Sequence, residues 1–131
     1  RHDFDSPADI DRVLVALETD RPDGLVVGLD TLVIGERRRI VTAAARLKLP
    51  AIYPAIEFVQ DGGLVSYAAS WLEMYRVVGG YAGRILKGAK AGDLPVQQPV
   101  RYELAVNLKT AKAMGLALPP AFLNRADETI E

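Results

Sequence analysis

The chain has 131 residues, enough for one ordinary domain, and half of them are apolar while a quarter are charged, as in soluble globular proteins. Sixteen basic and 17 acidic residues leave a net charge of −1, so bulk charge gives no attraction for nucleic acid or an anionic membrane. The chain has no cysteine, which excludes disulfides, a thiolate nucleophile and cysteine zinc sites, and no apolar run approaches the roughly 18 residues of a membrane span.

Helices and strands are predicted to alternate through the first half of the chain. The predicted elements are a helix starting at Asp5-Ser6-Pro7, a strand over 25–29, a helix over 37–49, a strand over 51–53, one or two helical turns over 55–60 and a strand over 64–67. The run over 25–29 is apolar on both faces, which is typical of a strand buried inside a parallel sheet.

The longest predicted helix follows, over residues 70–87, with Ser70 and Glu73 as a capping box. Its apolar stripe consists of Trp71, Met74, Tyr75, Val78, Ala82, Ile85 and Leu86. Glycines stand inside it at positions 79, 80 and 83. Because each costs up to ~1 kcal/mol relative to alanine, close packing against another backbone is expected there.

In the last third of the chain, the sequence predicts a strand and two helices after a connector that contains prolines. A strand over 102–106 has a mixed pattern typical of a sheet edge, and Asn107 caps a helix over 108–114 that ends at Gly115. A final helix opens at Pro119-Pro120, and its face is formed by Phe122, Leu123, Ala126 and Ile130.

This alternation predicts an α/β fold with a mostly parallel, Rossmann-like sheet flanked by helices. In such sheets, ligands bind beyond the carboxyl ends of the strands. The polar and aromatic residues at those ends are Asp30, Thr31, Tyr53, Ser66 and Tyr67. Since three separate segments point to one region, the sequence predicts a binding site there.

Each candidate residue also has a structural explanation. Asp30 could bind a ligand's ammonium or hydroxyl group, or cap the segment that follows. Tyr53 and Tyr67 could stack on a ligand or hydrogen-bond to it, or be half-buried tyrosines with solvated hydroxyls. Glu57, four residues after Tyr53, could reach the same cleft or be solvated, and Ser66 could donate to a ligand carboxylate.

The sequence lacks the residues that several catalytic and anion-binding interpretations would require. A phospho-acceptor role for Asp30 needs an acidic pair and a later lysine, and neither is visible. Three adjacent arginines at 37–39 fan around a helix, so a solvated face is expected rather than a phosphate site. His2 has no catalytic or metal-binding partners in the pattern, and the glycines at 79–83 follow no strand, so they are not a dinucleotide loop. We therefore predict no catalytic residue, no metal, no cofactor and no enzyme activity.

Six short segments occur in an order that is specific to one family. They are LPAIYP at 49–54, GGLVSY at 62–67, RILKGAK at 84–90, DLPVQQP at 93–99, NLKTAK at 107–112 and RADE at 125–128. Together they closely resemble the C-terminal part of bacterial ABC-transporter substrate-binding proteins of the tryptophan/tyrosine type, and the resemblance covers essentially the whole chain.

The resemblance implies a type I periplasmic-binding-protein fold, in which two α/β lobes joined by hinge crossings enclose a small ligand. Residues 1–131 would be the C-terminal lobe with hinge-crossing segments, the first lobe and the first strand and helix of the second being absent. Carried over by position, the segments around Asp30-Thr31, Tyr53 with Glu57, and Ser66-Tyr67 look like cleft-facing loops. Two departures concern Ala68, where the family usually has glycine, and the glycines at 79, 80 and 83, which replace larger residues.

The implied function is solute binding for an ABC importer, at an extracytoplasmic location, either periplasmic or lipid-anchored. The expected partners are a small molecule, such as an aromatic amino acid or another small carboxylate, and the ABC permease, with no nucleic acid and no membrane span. A ligand-sensing regulatory domain of the same fold is the alternative. Because a missing first strand would expose a sheet edge, the chain is also expected to self-associate.

Overall fold

Five strands form one sheet in the order β1-β2-β3-β4-β5 in the structure, a computed structural model that describes residues 6–131. In chain order the helices and strands are α1 Pro7–Asp20, β1 Leu25–Val26, α2 Thr31–Gly35, α3 Arg37–Arg46, β2 Ala51–Tyr53, α4 Ile56–Gln60, β3 Val65–Ala69, α5 Trp71–Leu86, β4 Tyr102–Asn107, α6 Leu108–Met114, α7 Pro120–Leu123 and β5 Glu128–Ile130. A 3-10 turn, Ala91–Asp93, follows α5. The predicted helix start at Ser6 is confirmed, while Asp5 and His2 lie outside the described residues.

The sheet is mostly parallel, as the alternating sequence pattern predicts. β1 pairs with β2, β2 with β3, and β4 with β5, all in parallel. β3 and β4 are joined by Asn107 N–H donating to Leu64 C=O over 2.9 Å and Ser70 N–H donating to Arg101 C=O over 3.0 Å. These two bonds pair opposite ends of the strands, which is the arrangement of an antiparallel pair. The predicted α/β fold class is confirmed.

The chain divides into two compact units. The first contains the residues up to 68 together with 104–131, and the second contains residues 69–103. β3 leads out of the first unit and β4 leads back into it, so the chain passes between the units twice.

The first unit has two hydrophobic cores. One joins α1, α3 and α4 to β1 and β2, with Val33 and Phe58 among its most buried members. The other lies under β3 and β4, where Val106 is fully buried and the partly buried Phe122 and Leu123 of α7 pack against it. Burial of a side chain such as Phe58 contributes roughly 1.5–3 kcal/mol.

The second unit consists mainly of α5, which begins at the predicted N-cap Ser70. The helix has no buried residue, although its stripe was expected to face a core, and Leu72, Tyr75 and Val78 are all more than half exposed. Apart from the neighbouring backbone of α5 itself, a Cβ built on any of its glycines, at 79, 80 and 83, would meet no described atom within 4 Å. The close packing expected at these glycines is therefore not made within this structure.

Two strands differ from their predicted positions in the sheet. The run over 25–29 was expected to be buried on both faces, but only Leu25–Val26 forms β1, which is an edge strand with Val26 81% exposed. β4 was expected at an edge but lies between β3 and β5. Both predictions were wrong because position in a sheet depends on which strands pair, and local composition does not report that.

The predicted final helix is also wrong in its second half. α7 ends at Leu123, and residues 128–130 form β5 alongside β4. The junction is held by Asp127, whose N–H donates to Leu104 C=O over 2.8 Å and whose carboxylate accepts from Leu104 N–H over 2.9 Å. This pairing with a distant strand outweighs the local helical spacing of the apolar residues.

The turn before β3 is fixed by polar contacts from α6. Asn107 caps α6 as predicted, accepting from Thr110 N–H over 2.9 Å, and its amide also donates to Val59 C=O over 3.1 Å. The Thr110 hydroxyl donates to Gly62 C=O over 2.8 Å. Since Asn107 is buried, these contacts hold the entry to β3 in place.

The two glycines before β3 are needed for different reasons. Gly62 has φ of 105°, which is open to glycine and strained for other residues. Gly63 is limited by space, because a Cβ there would lie 2.6 Å from the ring of Tyr53 and 2.8 Å from the carbonyl oxygen of Phe58. The rings of Tyr53 and Phe58 stack with centroids 5.1 Å apart, so the glycine, the tyrosine and the phenylalanine form one packed unit.

Replacing Gly63 with alanine should destabilise the fold by about 1–3 kcal/mol, because the added methyl group overpacks against Tyr53 and the Phe58 carbonyl. Gly79→Ala is the matched control, since its methyl group meets open space in a helix and should stabilise by up to ~1 kcal/mol. The free energy of unfolding from denaturant titration measures both. Equal stabilities for the two variants would contradict this packing.

Tyr53 should make stability fall at high pH. Burial raises its pKa from 10.0 to about 12, so the unfolded chain loses this proton first and is favoured as the pH rises from 10 to 12. The contribution is complete below pH 10 and should decline by about 1.4 kcal/mol per pH unit within that window. Comparing urea titrations at pH 9 and pH 11 measures it: Tyr53→Phe should remove this part of the loss, whereas Tyr75→Phe, at an exposed position, should keep it.

Candidate functional site

The carboxyl ends of β1, β2 and β3 lie side by side at one edge of the sheet. Val26 is level with Ile52, and Val27 N–H donates to Ile52 C=O over 3.0 Å. Tyr53 is level with Ser66 in the next pair. We call residues 27–31, which follow β1, residues 54–57, which follow β2, and residues 66–68, which lie beside them within β3, the rim. The parallel register is as predicted, but β1 ends earlier than expected, at Val26, and β3 continues past Tyr67 to Ala69. That these segments form a binding site stays a prediction.

Asp30 and Thr31 enter the rim where α2 begins. Asp30 is the N-cap of α2, and its Oδ1 accepts from Leu32 N–H over 2.7 Å. The capping explanation of Asp30 is therefore confirmed. Both residues are exposed, so a contact with a ligand stays a prediction.

Tyr53 lies beneath the rim rather than on it. The residue is 2% exposed and its ring stacks on Phe58 inside the first core, which is why its pKa is raised. Stacking of this ring on a ligand is therefore not what the structure shows. Its neighbour in register, Ser66, is also 2% exposed. These two residues form the floor that supports the exposed part of the rim.

The exposed face of the rim is formed by other side chains. Tyr67 is 55% exposed, as expected for the residue after a buried one in a strand, since successive side chains point to opposite faces. Glu57 is exposed in the first turn of α4. Leu29, which the sequence pattern placed inside a strand, is 60% exposed beside Asp30. The signal that could have identified Leu29 is its position between the buried run and the capping aspartate.

The adjacent arginines at 37–39 do not form an anion site, but the reason differs from the predicted one. Arg37 and Arg38 both contact the carboxylate of Asp61, over 2.8 Å and 3.4 Å, although adjacent helical residues were expected not to converge. Arg39 pairs with Glu36 and Asp11, and these carboxylates raise its pKa. All three guanidinium groups are thus engaged by acids of the same chain.

Two cavities lie against α1, and the first of them reaches the rim residues Val27 and Gly28. An apolar groove of about 360 Å³ runs between α1 and β1 and is lined by residues such as Leu14 and Val26. An open cavity of about 670 Å³ lies where α1 and α3 end, with Arg21 and Lys48 on its wall. Both residues have positive φ, 43° and 50°, and they follow helix C-termini, where a cation is favoured.

Two further features of residues 6–131 bear on the site. No set of three or more His, Cys, Asp and Glu side chains among them is arranged to hold a metal ion. None of the helices described over this range combines the length and apolar character needed to cross a bilayer.

Solved structures share this fold. The ABC domain in complex with L-Trp from Streptococcus pneumoniae is 26% identical with a TM-score of 0.85, and the match covers 95% of this chain and 43% of that one. A conserved domain protein from Vibrio cholerae is 26% identical with a TM-score of 0.84, covering 93% of this chain and 41% of that one. The chain therefore spans less than half the length of these relatives.

A third solved structure supports the fold assignment and nothing more. It is the ligand-free, open form of a substrate-binding protein with adhesive properties from Clostridium difficile, 22% identical with a TM-score of 0.67, matched over 98% of this chain and 43% of that one. No curated protein matches the sequence. A family model described as ABC transporter substrate binding protein matches residues 5–130. Because this match spans nearly the whole chain, the chain belongs to the ABC transporter substrate-binding protein family.

Proposed function

We propose that this chain binds a small solute at the rim, as the C-terminal lobe and hinge-crossing segments of a solute-binding protein for an ABC importer. The observation that carries the proposal is the parallel register that brings the ends of β1 and β2 beside β3, where Asp30, Thr31, Glu57 and Tyr67 are exposed. In open α/β sheets this edge is the usual place of ligand binding. The L-Trp complex of the pneumococcal relative supports a solute of amino-acid size.

The path of the chain supports the lobe assignment. Residues 69–103 form a separate unit that is entered from β3 and left through β4, as expected of segments that cross a hinge. Solved relatives are more than twice as long as this chain, which leaves room for a second lobe opposite the rim. In this proposal, hinge closure on the solute shifts the population toward the form that the permease recognises, outside the cytoplasm and without any bond being made or broken.

A ligand-sensing regulatory domain of the same fold would use the same rim. The two functions differ in the partner that recognises the closed form, a permease in one case and a signalling domain in the other. Family membership favours the transport role.

Solute binding should perturb the rim and leave the opposite end of the sheet unchanged. With L-tryptophan, L-tyrosine and short carboxylates as probes at millimolar concentration, we expect amide shifts in two-dimensional NMR at Asp30, Thr31, Glu57 and Tyr67. Lys48 and Gly115, which lie outside the rim, should be unaffected and serve as internal controls. Shifts confined to the groove beside α1, or no shift with any probe, would contradict a site at the rim.

We also propose that the chain self-associates through the side of β1 that no strand within residues 6–131 occupies. Leu25 N–H and Val27 N–H donate to Pro50 C=O and Ile52 C=O of the neighbouring segment. In a parallel pair, the residue between them, Val26, therefore directs its own amide and carbonyl to the other side.

β1 is short, but it carries neither of the residue types that commonly protect sheet edges. The sequence over 25–28 contains neither lysine nor proline, and Val26 is 81% exposed beside the apolar groove. Backbone groups on a free strand edge are complemented by another strand. We therefore expect the occupant to be β1 of a second copy.

Light scattering after size-exclusion chromatography should give a mass above the 14.2 kDa of one chain, rising with concentration. Val26→Lys should return the chain to monomer, because a charged edge strand disfavours pairing, with no loss of circular dichroism since the side chain is exposed. Leu86→Lys is the control, at a residue 87% exposed on α5, and it should leave association unchanged. A monomer at all concentrations, or an effect of Leu86→Lys alone, would overturn the assignment to β1.

A further inference from the structure

We propose that Asp23-Gly24, in the loop between α1 and β1, is a site of isoaspartate formation, at which the main chain rearranges through the Asp23 side chain without any enzyme or cofactor. The proposal concerns a modification of the chain itself and is independent of solute binding at the rim.

An aspartate followed by glycine has both reacting groups side by side. The backbone nitrogen of Gly24 attacks Cγ of the protonated Asp23 carboxyl group. An N–Cγ bond forms, the nitrogen gives up its proton and the hydroxyl oxygen leaves as water. Because glycine has no Cβ, little shields the attacking nitrogen. The product is a cyclic imide that contains the Asp23 side chain and the Gly24 nitrogen.

Hydrolysis of the imide decides the outcome. When water adds to the carbonyl at Cγ and the N–Cγ bond breaks, aspartate is restored. When water adds to the main-chain carbonyl of Asp23 and its bond to nitrogen breaks, the chain continues through Cβ and Cγ, which is isoaspartate. One water is lost and one is regained, so no oxidant, reductant or co-reactant other than water takes part.

The chain contains a second Asp-Gly sequence, and both of its reacting groups are engaged. The Asp61 carboxylate is bound by Arg37 over 2.8 Å and by Arg38 over 3.4 Å. Gly62 N–H donates to Val59 C=O over 3.0 Å, so the attacking nitrogen is held in a hydrogen bond that must break first. The fold therefore protects this second sequence.

The reacting groups of Asp23-Gly24 are open by comparison. Both residues are exposed. Among residues 6–131, no group bonds to the Asp23 carboxylate or to Gly24 N–H. The carboxyl group can therefore turn toward the nitrogen that follows it without breaking a contact.

Backbone hydrogen bonds hold this loop at its two ends. The N–H groups of Arg21 and Leu25 donate over 3.2 Å and 2.9 Å to carbonyls of α1 and of the segment before β2. Within the described range, no N–H group of residues 22–24 makes a hydrogen bond, and Pro22 has none to offer. A stretch without such bonds opens at low free-energy cost, so Asp23 can rotate into the geometry for attack.

Isoaspartate lengthens the main chain by one carbon directly before β1. Leu25, the first residue of this short strand, donates its N–H to Pro50 C=O. Gly24 lies against the same oxygen, because a Cβ built on it would be 3.5 Å away. The extra carbon therefore displaces Gly24 or Leu25 from Pro50, and the modification loosens the edge strand.

Ageing the whole chain at neutral pH and physiological temperature tests the proposal, with isoaspartate located by peptide mapping and electron-transfer fragmentation. The folded chain should form isoaspartate at position 23 about tenfold faster than at position 61, which is the slowing expected when a hydrogen bond must break first. In guanidinium chloride, where the fold no longer protects Asp61, the two positions should react at similar rates.

Asp23→Glu is the decisive variant, because it keeps the charge while its longer side chain closes the imide ring far more slowly. Asp20→Glu is the matched control, at an exposed aspartate close by that no glycine follows, and it should leave the rate unchanged. Gly24→Ala should slow the reaction severalfold, and it fits the fold because its methyl group makes only an ordinary contact with Pro50.

Hydrogen exchange measures the effect on β1. In the aged chain the Leu25 amide should exchange faster than in fresh chain, while the Asp127 amide, bonded to Leu104 C=O, should be unchanged. An unchanged Leu25 amide in modified chain would overturn the effect on β1.

The site itself has separate contrary outcomes. No isoaspartate at position 23, equal amounts at positions 23 and 61 in the folded chain, or an undiminished rate in Asp23→Glu would overturn it.

Discussion

The in-register parallel pairing of β2 with β1 on one side and β3 on the other is the constraint on which the rest of the structure depends. Parallel strands end at the same edge of a sheet, so side chains more than 30 residues apart in sequence are brought to one rim. A slip of one residue between β2 and β3 would turn Ser66 to the face opposite Tyr53. Ser66 would then be exposed, and Tyr67 would turn toward the core.

The register is held from beneath by packing and from one end by hydrogen bonds. Tyr53 stacks on Phe58, and the absence of a side chain at Gly63 allows the chain to pass directly over both. Asn107 and Thr110 fasten the turn before β3 to α4 and α6. Tyr53 therefore supports the rim from below, whereas the sequence predicted that it would face the ligand.

The polarity of the rim gives the proposed function its chemistry. Asp30 caps α2 and Glu57 lies in the first turn of α4, while the ring of Tyr67 and the side chain of Leu29 are exposed. The arginines of α3 are engaged by Asp61 and other acids. The proposed solute would meet these side chains beside the strand ends.

The sequence by itself determined the alternation of elements, the bounds of β2 and α6, and the caps at Ser6, Ser70 and Asn107, because these depend on local propensities and turn chemistry. Only the tertiary structure decided that β1 is an edge strand, that β4 is internal, that residues 128–130 pair as β5 and that Tyr53 is buried. These features depend on contacts between residues far apart in the chain, and no local pattern of apolar spacing reports which distant strand will be the neighbour.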